Sequence, residues 1–276
     1  MKRLLGTFAF AFASLGACSA LLLVPARAAA GGQYAALTGG QLRSVMPADG
    51  KQAPAVVAPF SMRTAAVSNA EFRAFLLANP AWQRGAAPAV MAAPTYLAAW
   101  RGAADYGALA PDAPVTNVSW HAANAFCASE GARLPRWHEW EYAASADATR
   151  ADARDDPQWL EHILNWYARP ASTAPSRTRA NPPNFYGLYD MHGLVWEWVE
   201  DYSALFVNAD SRSQDPRKLL DYCGGAALSL GERRNYAVLM RIALLAAMEG
   251  AQDGGYLGFR CARDQATDTP LPKESP

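Results

Sequence analysis

Between Asn181 and Asp201 the chain reads NPPNFYGLYDMHGLVWEWVED, and this stretch restricts the architecture more than any other. Two prolines at its start block a helix or an interior strand. Gly187 and Gly193 are natural positions for tight turns, because glycine takes positive φ without steric cost. Trp196 and Trp198 then flank Glu197. On one reading the stretch is a loop that feeds a buried aromatic strand; on another it is a built site. Asp190, Glu197 and the carbonyls of Gly193 and Val195 place four oxygen donors within eight residues, the kind of set a hard cation such as calcium takes. The same residues read equally as a loop with Asp190 at a turn and Glu197 in a salt bridge.

With 276 residues, 51% of them hydrophobic, the chain is long enough for one large or two small domains with a proper core. Lys and Arg (25) balance Asp and Glu (25), so net charge gives no basis for binding nucleic acid or an anionic membrane. Nine Trp and eleven Tyr point to a loop-rich interior pinned by large rings.

Residues 1–30 read as a secretory signal peptide. Lys2 and Arg3 give the charged start, Leu4 to Val24 is apolar, and the run to Ala28 ends in the small-x-small pattern of a cleavage site. Cleavage after Ala28 or Ala30 would leave no membrane span in the mature chain and place it in the periplasm or outside the cell. An uncleaved anchor and a lipoprotein built on Leu15-Gly16-Ala17-Cys18 are the alternatives. Export exposes Cys127, Cys223 and Cys261 to an oxidising compartment, which permits one bridge and one remaining thiol; spacing does not choose the pair. No CxxC or Cys/His cluster suggests structural zinc.

Residues 31–55 are small and polar and read as a flexible lead-in, residues 56–264 as the domain, and residues 265–276 as a disordered tail. Within the domain a short strand is expected over Val56–Met62. A helix over Glu71–Asn79, capped by Ser68 or Asn69, keeps Phe72, Phe75 and Leu76 on one face. Alternation predicts a strand over Pro114–Trp120. Ser119 precedes a helix over His121–Glu130 that Gly131 ends, and another helix covers Trp137–Ala144. The charged, alanine-rich stretch Asp147–Asp156 is expected to be exposed and mobile. Tyr236–Ala246 and Leu257–Cys261 read as apolar strands, each carrying one arginine, Arg241 and Arg260. Glu139, Glu141 and Glu197 are the carboxylates available to them.

Several of these segments together resemble one family. Val115-x-x-Val118-Ser119-Trp120, Gly131-x-Arg133-Leu134-Pro135 and Glu139-Trp140-Glu141-Tyr142-Ala143-Ala144 are similar to the first half of the sulfatase-modifying factor family. Asn184-x-Tyr186-Gly187-Leu188-Tyr189-Asp190-Met191-x-Gly193-x-Val195-Trp196-Glu197-Trp198, Gly224-Gly225 and Gly258-Phe259-Arg260-Cys261 follow the second half in order. That family includes formylglycine-generating enzymes, iron-dependent sulfoxide synthases, pyoverdine maturation proteins and accessory proteins encoded beside copper nitrite reductases. The segment from Cys223 to Cys261 looks most like the last of these.

The resemblance implies a single compact, loop-rich α+β domain of the C-type-lectin-like, formylglycine-generating-enzyme type. It implies a calcium site at Asp190, Gly193, Val195 and Glu197, with Leu194 where the family usually carries Asn. It pairs Cys127 with Cys261 and leaves Cys223 as a lone thiol, either a small buried residue or a soft ligand. The two copper-binding cysteines of formylglycine-generating enzymes fall on Ser229 and Ala237, neither of which binds cuprous copper. His121, His138, His162 and His192 lack the spacing of the histidine triad in the iron enzymes, and each reads most simply as a surface residue. Copper and iron are thus unsupported by the motifs. The resemblance leaves two function classes. One is a periplasmic accessory or maturation factor for an exported protein partner, a metalloenzyme such as copper nitrite reductase. The other is an oxygen-dependent oxidoreductase modifying a protein cysteine or small metabolite, for which Cys223, Ser229, Tyr236 and His192 are the candidate catalytic residues.

Overall fold

The computed structural model of the chain describes residues 33–44, 54–167, 177–205 and 236–265. Strands from both ends of this range meet in one antiparallel sheet, where β4 (Phe60–Arg63) lies between β1 (Tyr34–Leu37) and β7 (Ala262–Asp264). Met62 faces Ala35 on one side and Ala262 on the other, and Leu37 faces Phe60. β2 (Gly40–Leu42) pairs antiparallel with β3 (Ala55–Val57), and β5 (Trp196–Glu197) pairs parallel with β6 (Leu257–Gly258).

The lead-in expected over 31–55 therefore contains two strands of the fold. They are too short to show a period, and their partners are distant in sequence: Arg263 lies over the Tyr34 ring at 3.9 Å, and the Tyr34 hydroxyl donates to Glu130 at 2.9 Å. The strand expected over Val56–Met62 is divided at Ala58-Pro59 into β3 and β4, which join different sheets. Proline has no N–H to offer a ladder, so the chain turns there.

α1 (Asn69–Ala78) opens on a capping box. The Ser68 hydroxyl accepts the Glu71 N–H at 3.3 Å, and the Glu71 carboxylate accepts the Ser68 N–H at 2.9 Å. Its buried face is Phe72, Phe75 and Leu76. α2 (Trp120–Ser129) is capped by Ser119, whose hydroxyl accepts the Ala122 N–H at 3.2 Å, and α3 (Trp137–Ala144) follows. α4 (Pro157–Tyr167) and α5 (Tyr236–Ala246) complete the helices among the described residues.

Four segments depart in whole or in part from what the sequence leads one to expect. Pro114–Trp120 forms only a bridge from Pro114 to Ser68, because Asn117 sits at φ 53° and turns its N–H to Gly254. Tyr236–Ala246 is a helix: a run so uniformly apolar has no period by which to tell helix from strand. Asp147–Asp156 is mostly exposed, as expected, but is tied down by its own contacts: Arg150 joins Asp147 to Asp156, and the buried Ala153 donates its N–H to Ser145 O at 2.8 Å. The strand expected over Leu257–Cys261 is confined to β6 at its start, and Arg260 and Cys261 lie between β6 and β7.

The core centres on rings from four parts of the chain. Phe72, Phe75, Phe126 and Phe259 lie with centroids 5.3–6.0 Å apart, and Trp100 meets Phe72 edge-on. Beside them Cys127 of α2 and Cys261 are joined in a disulfide, Cα to Cα 5.5 Å, as the resemblance implies. None of the described helices is long and apolar enough to cross a membrane.

Candidate functional site

The Asn181–Asp201 stretch is organised by its own polar side chains. Asn184 closes the first turn: its Oδ1 accepts the N–H groups of Tyr186 and Leu188, each at 3.0 Å, and its Nδ2 donates to Ala143 O at 2.8 Å. Gly187 (φ 77°) and Gly193 (φ 98°) take the positive φ expected of them. Asp190 does so without being glycine, at φ 53°. Its buried carboxylate accepts the Arg179 N–H at 2.6 Å and the Asn181 side-chain amide at 2.9 Å.

From this loop β5 carries Glu197 into the interior, beside Gly258 of β6. A Cβ at position 258 would lie 2.7 Å from the Val115 carbonyl oxygen, so this approach requires glycine. Glu197 is fully buried. Its Oε1 receives Arg260 Nε at 3.0 Å and Nη2 at 2.8 Å, and its Oε2 receives Arg260 Nε at 2.9 Å and Trp140 Nε1 at 2.9 Å. Arg260 also donates to Tyr189 O at 2.9 Å, which ties the loop back to the end of the chain. Arg241 of α5 lies over the Trp140 ring, 3.5 Å from its centroid, and donates to the Glu197 carbonyl. Of the two arginines singled out in the sequence, Arg260 takes the Glu197 carboxylate, while Arg241 takes that residue's carbonyl and an aromatic face.

These contacts bear directly on calcium. Every carboxylate oxygen of Glu197 and Asp190 already accepts N–H donors, and the donor on Glu197 is itself a cation. A calcium ion on Glu197 would have to displace Arg260, a cation that is itself fully buried there. As arranged, the donor set of Asp190, Gly193, Val195 and Glu197 does not fit the ion. Among the described residues no group of three or more His, Cys, Asp or Glu side chains is placed to hold a metal.

His192 departs from the surface reading. Its Nε2 lies 2.9 Å from Ala144 O and its ring sits edge-on to Trp140 and Trp159, each 5.7 Å away. The imidazole therefore carries its proton on Nε2. Nδ1, sealed from solvent, has no hydrogen-bond partner among the described residues. Burial first, then the positive charge of Arg241, lowers its pKa from 6.5 to about 4. Tyr236 and Ala237 form the start of α5. Cys223 and Ser229 lie outside the described residues. Arg179 was not legible as a site residue: nothing in its neighbourhood of sequence marks it, and its contacts come from Gln33, Thr64 and Asp190.

The sulfatase-modifying factor enzyme 1-like domain matches residues 23–265. The formylglycine-generating enzyme of Streptomyces coelicolor is 33% identical over 174 residues, which cover 56% of this chain and 54% of that protein. A Bos taurus protein named inactive C-alpha-formylglycine-generating enzyme 2 is 32% identical over 160 residues, covering 54% of this chain and 50% of that one. The chain thus spans about half the length of the relatives it matches in sequence. The structure of PvdO from Pseudomonas aeruginosa aligns with a TM-score of 0.46 and 17% identity, covering 85% of this chain and 95% of that one. With a family match that spans all of the residues described, through the loop and the buried Glu197, this chain belongs to the sulfatase-modifying factor family.

Proposed function

We propose that this protein is an exported accessory or maturation factor, acting in the periplasm on a metalloenzyme partner such as a copper nitrite reductase, without formylglycine-generating activity. The observation that carries this reading is the missing thiol pair. The resemblance puts the copper-binding positions at Ser229 and Ala237, and a soft cuprous ion needs thiolates that a hydroxyl and a methyl group do not replace. Ala237 is in the first turn of α5, and Cys127 and Cys261 are joined to each other. A relative whose name marks it as inactive is about as similar to this chain as one named for the activity, so membership of the family does not bring the chemistry with it. Calcium forms no part of the proposal, because Arg260 holds Glu197.

The test uses the intact chain isolated from the periplasm. After dialysis against metal-free buffer it should contain neither copper nor iron in stoichiometric amount, consume no oxygen with a cysteine peptide, and co-isolate with a copper enzyme produced beside it. Stoichiometric copper together with oxygen uptake would replace this reading with the oxidoreductase, and Cys223→Ser would then show whether its remaining thiol takes part.

A further inference from the structure

Where β4 ends and α1 begins, the chain encloses a cleft of about 280 Å³ whose lining includes Gln33, Arg63, Thr64, Glu71, Asp112 and Arg179. Its charges are not equivalent. Arg63 is buried and fixed between Glu71 and Glu130, and the second Glu71 oxygen accepts the Ser68 N–H and hydroxyl, each at 2.9 Å. That group is complete in itself.

Arg179 is not. Its Nη2 donates to Gln33 Oε1 at 3.3 Å and Thr64 Oγ1 at 3.1 Å, and its guanidinium lies over the Tyr189 ring at 5.5 Å. Nε and Nη1 have no hydrogen-bond partner among the described residues, which leaves a free N–H donor on either side of the engaged Nη2. The side chain is aimed by its backbone. Arg179 sits at φ 62°, a conformation unfavourable for a residue with a Cβ, and the buried Asp190 carboxylate holds its N–H at 2.6 Å. The carboxylate of Asp112 lines the same cleft with only a loose partner, the exposed Arg177 at 3.7 Å. The Thr178 N–H, bonded to Asp112 O at 2.8 Å, ties the two segments together.

Free guanidinium N–H groups attract a carboxylate and hold it through charge-assisted N–H···O bonds, whereas a half-exposed carboxylate accepts an ammonium or amide N–H. The volume is near the lower limit of ligand pockets, roughly 300 Å³, and suits a molecule of dipeptide size. We propose that this cleft binds a small zwitterion or peptide end, its carboxylate on Arg179 and its amine or amide on Asp112. Asp190 then serves as the clamp that presents Arg179. The site lies beyond the accessory reading and does not depend on it.

Titration calorimetry on the intact exported chain tests the assignment, with glycylglycine, its carboxyl-amidated and N-acetylated forms, a longer peptide with a free carboxylate, and inorganic phosphate. Glycylglycine should bind saturably. Amidation of its carboxylate, or Arg179→Gln with an unchanged unfolding midpoint, should weaken it by at least about tenfold. Asp112→Asn, at an exposed position, should weaken the free amine more than the N-acetylated form. Equal binding of the longer peptide assigns a protein chain end as the source, and binding of the dipeptide alone assigns a free metabolite. Binding unaffected by Arg179→Gln, phosphate competing as strongly as the dipeptide, or no saturable binding by either peptide would overturn the proposal.

Discussion

Glu197 is the residue at which one exchange of oxygen for nitrogen should do most damage. Glu197→Gln leaves Arg260 buried without its counter-charge, and breaking such a pair costs about 3–5 kcal/mol. Urea unfolding of the variant should show that loss at an unchanged m-value, and a change below 1 kcal/mol would mean that Arg260 finds water or another acceptor. The same pairing predicts that chelation by EGTA leaves the melting temperature unmoved, since a cation bound only to the native state would raise it. A fall on chelation would place calcium at the loop despite Arg260. His192 supplies the pH dependence. Its folded pKa of about 4 lies below the unfolded 6.5, so burying the neutral imidazole contributes stability that is complete above the unfolded value. As pH falls from 6.5 through 4 the unfolded chain binds a proton that the folded chain refuses, and unfolding free energy should decline across that window. In His192→Phe the decline should be shallower, and an identical profile would assign the acid sensitivity to other groups.

At the scale of elements, the helices that announce themselves with a cap were legible. Ser68 and Glu71, Ser119, and Gly131 each act through atoms within a few residues, so α1 and α2 lie within one or two residues of where the sequence puts them; α3 matches its expected bounds. Ser68→Ala should cost about 1 kcal/mol from the cap alone. The measured loss should exceed it, because Glu71 also holds Arg63. A loss confined to the cap would show that the Arg63 contact survives unaided. What escaped the sequence depends on distant partners. Nothing near Tyr34 reveals that Arg263 covers its ring, and nothing near Asn117 reveals the left-handed backbone that spoils an alternating strand. The candidate site divides along the same line. The pairing of Arg260 with a glutamate could be read from one arginine in an apolar run, whereas the role of Asp190 in aiming Arg179 needed the chain to be folded first.

For the molecule as a whole, the disulfide joins Cys127 to Cys261, 134 residues apart, and thereby ties the middle of the chain to the residue that leads into its last sheet strand. In the chain-entropy model a closure of that length limits the unfolded ensemble by roughly 4 to 5 kcal/mol, and native bridges of this kind are worth about 2–5 when removed. Cys127→Ser combined with Cys261→Ser should lower the unfolding free energy by that amount while leaving the far-ultraviolet dichroism unchanged. An unaltered midpoint would mean that the aromatic core alone fixes the two segments. The order of the cysteines matters as much as their separation. An exported chain, threaded amino end first, delivers Cys127, then Cys223, and only then Cys261. Were the chain exported as proposed, an oxidant on the far side of the membrane would meet the first two together and would join them before the native partner arrived. To reach the folded arrangement, the Cys261 thiolate has to attack Cys127 sulfur and release Cys223 as the leaving thiolate. Under the proposed export, yield in the cell would then depend on disulfide isomerisation and not on the oxidising power of the compartment alone.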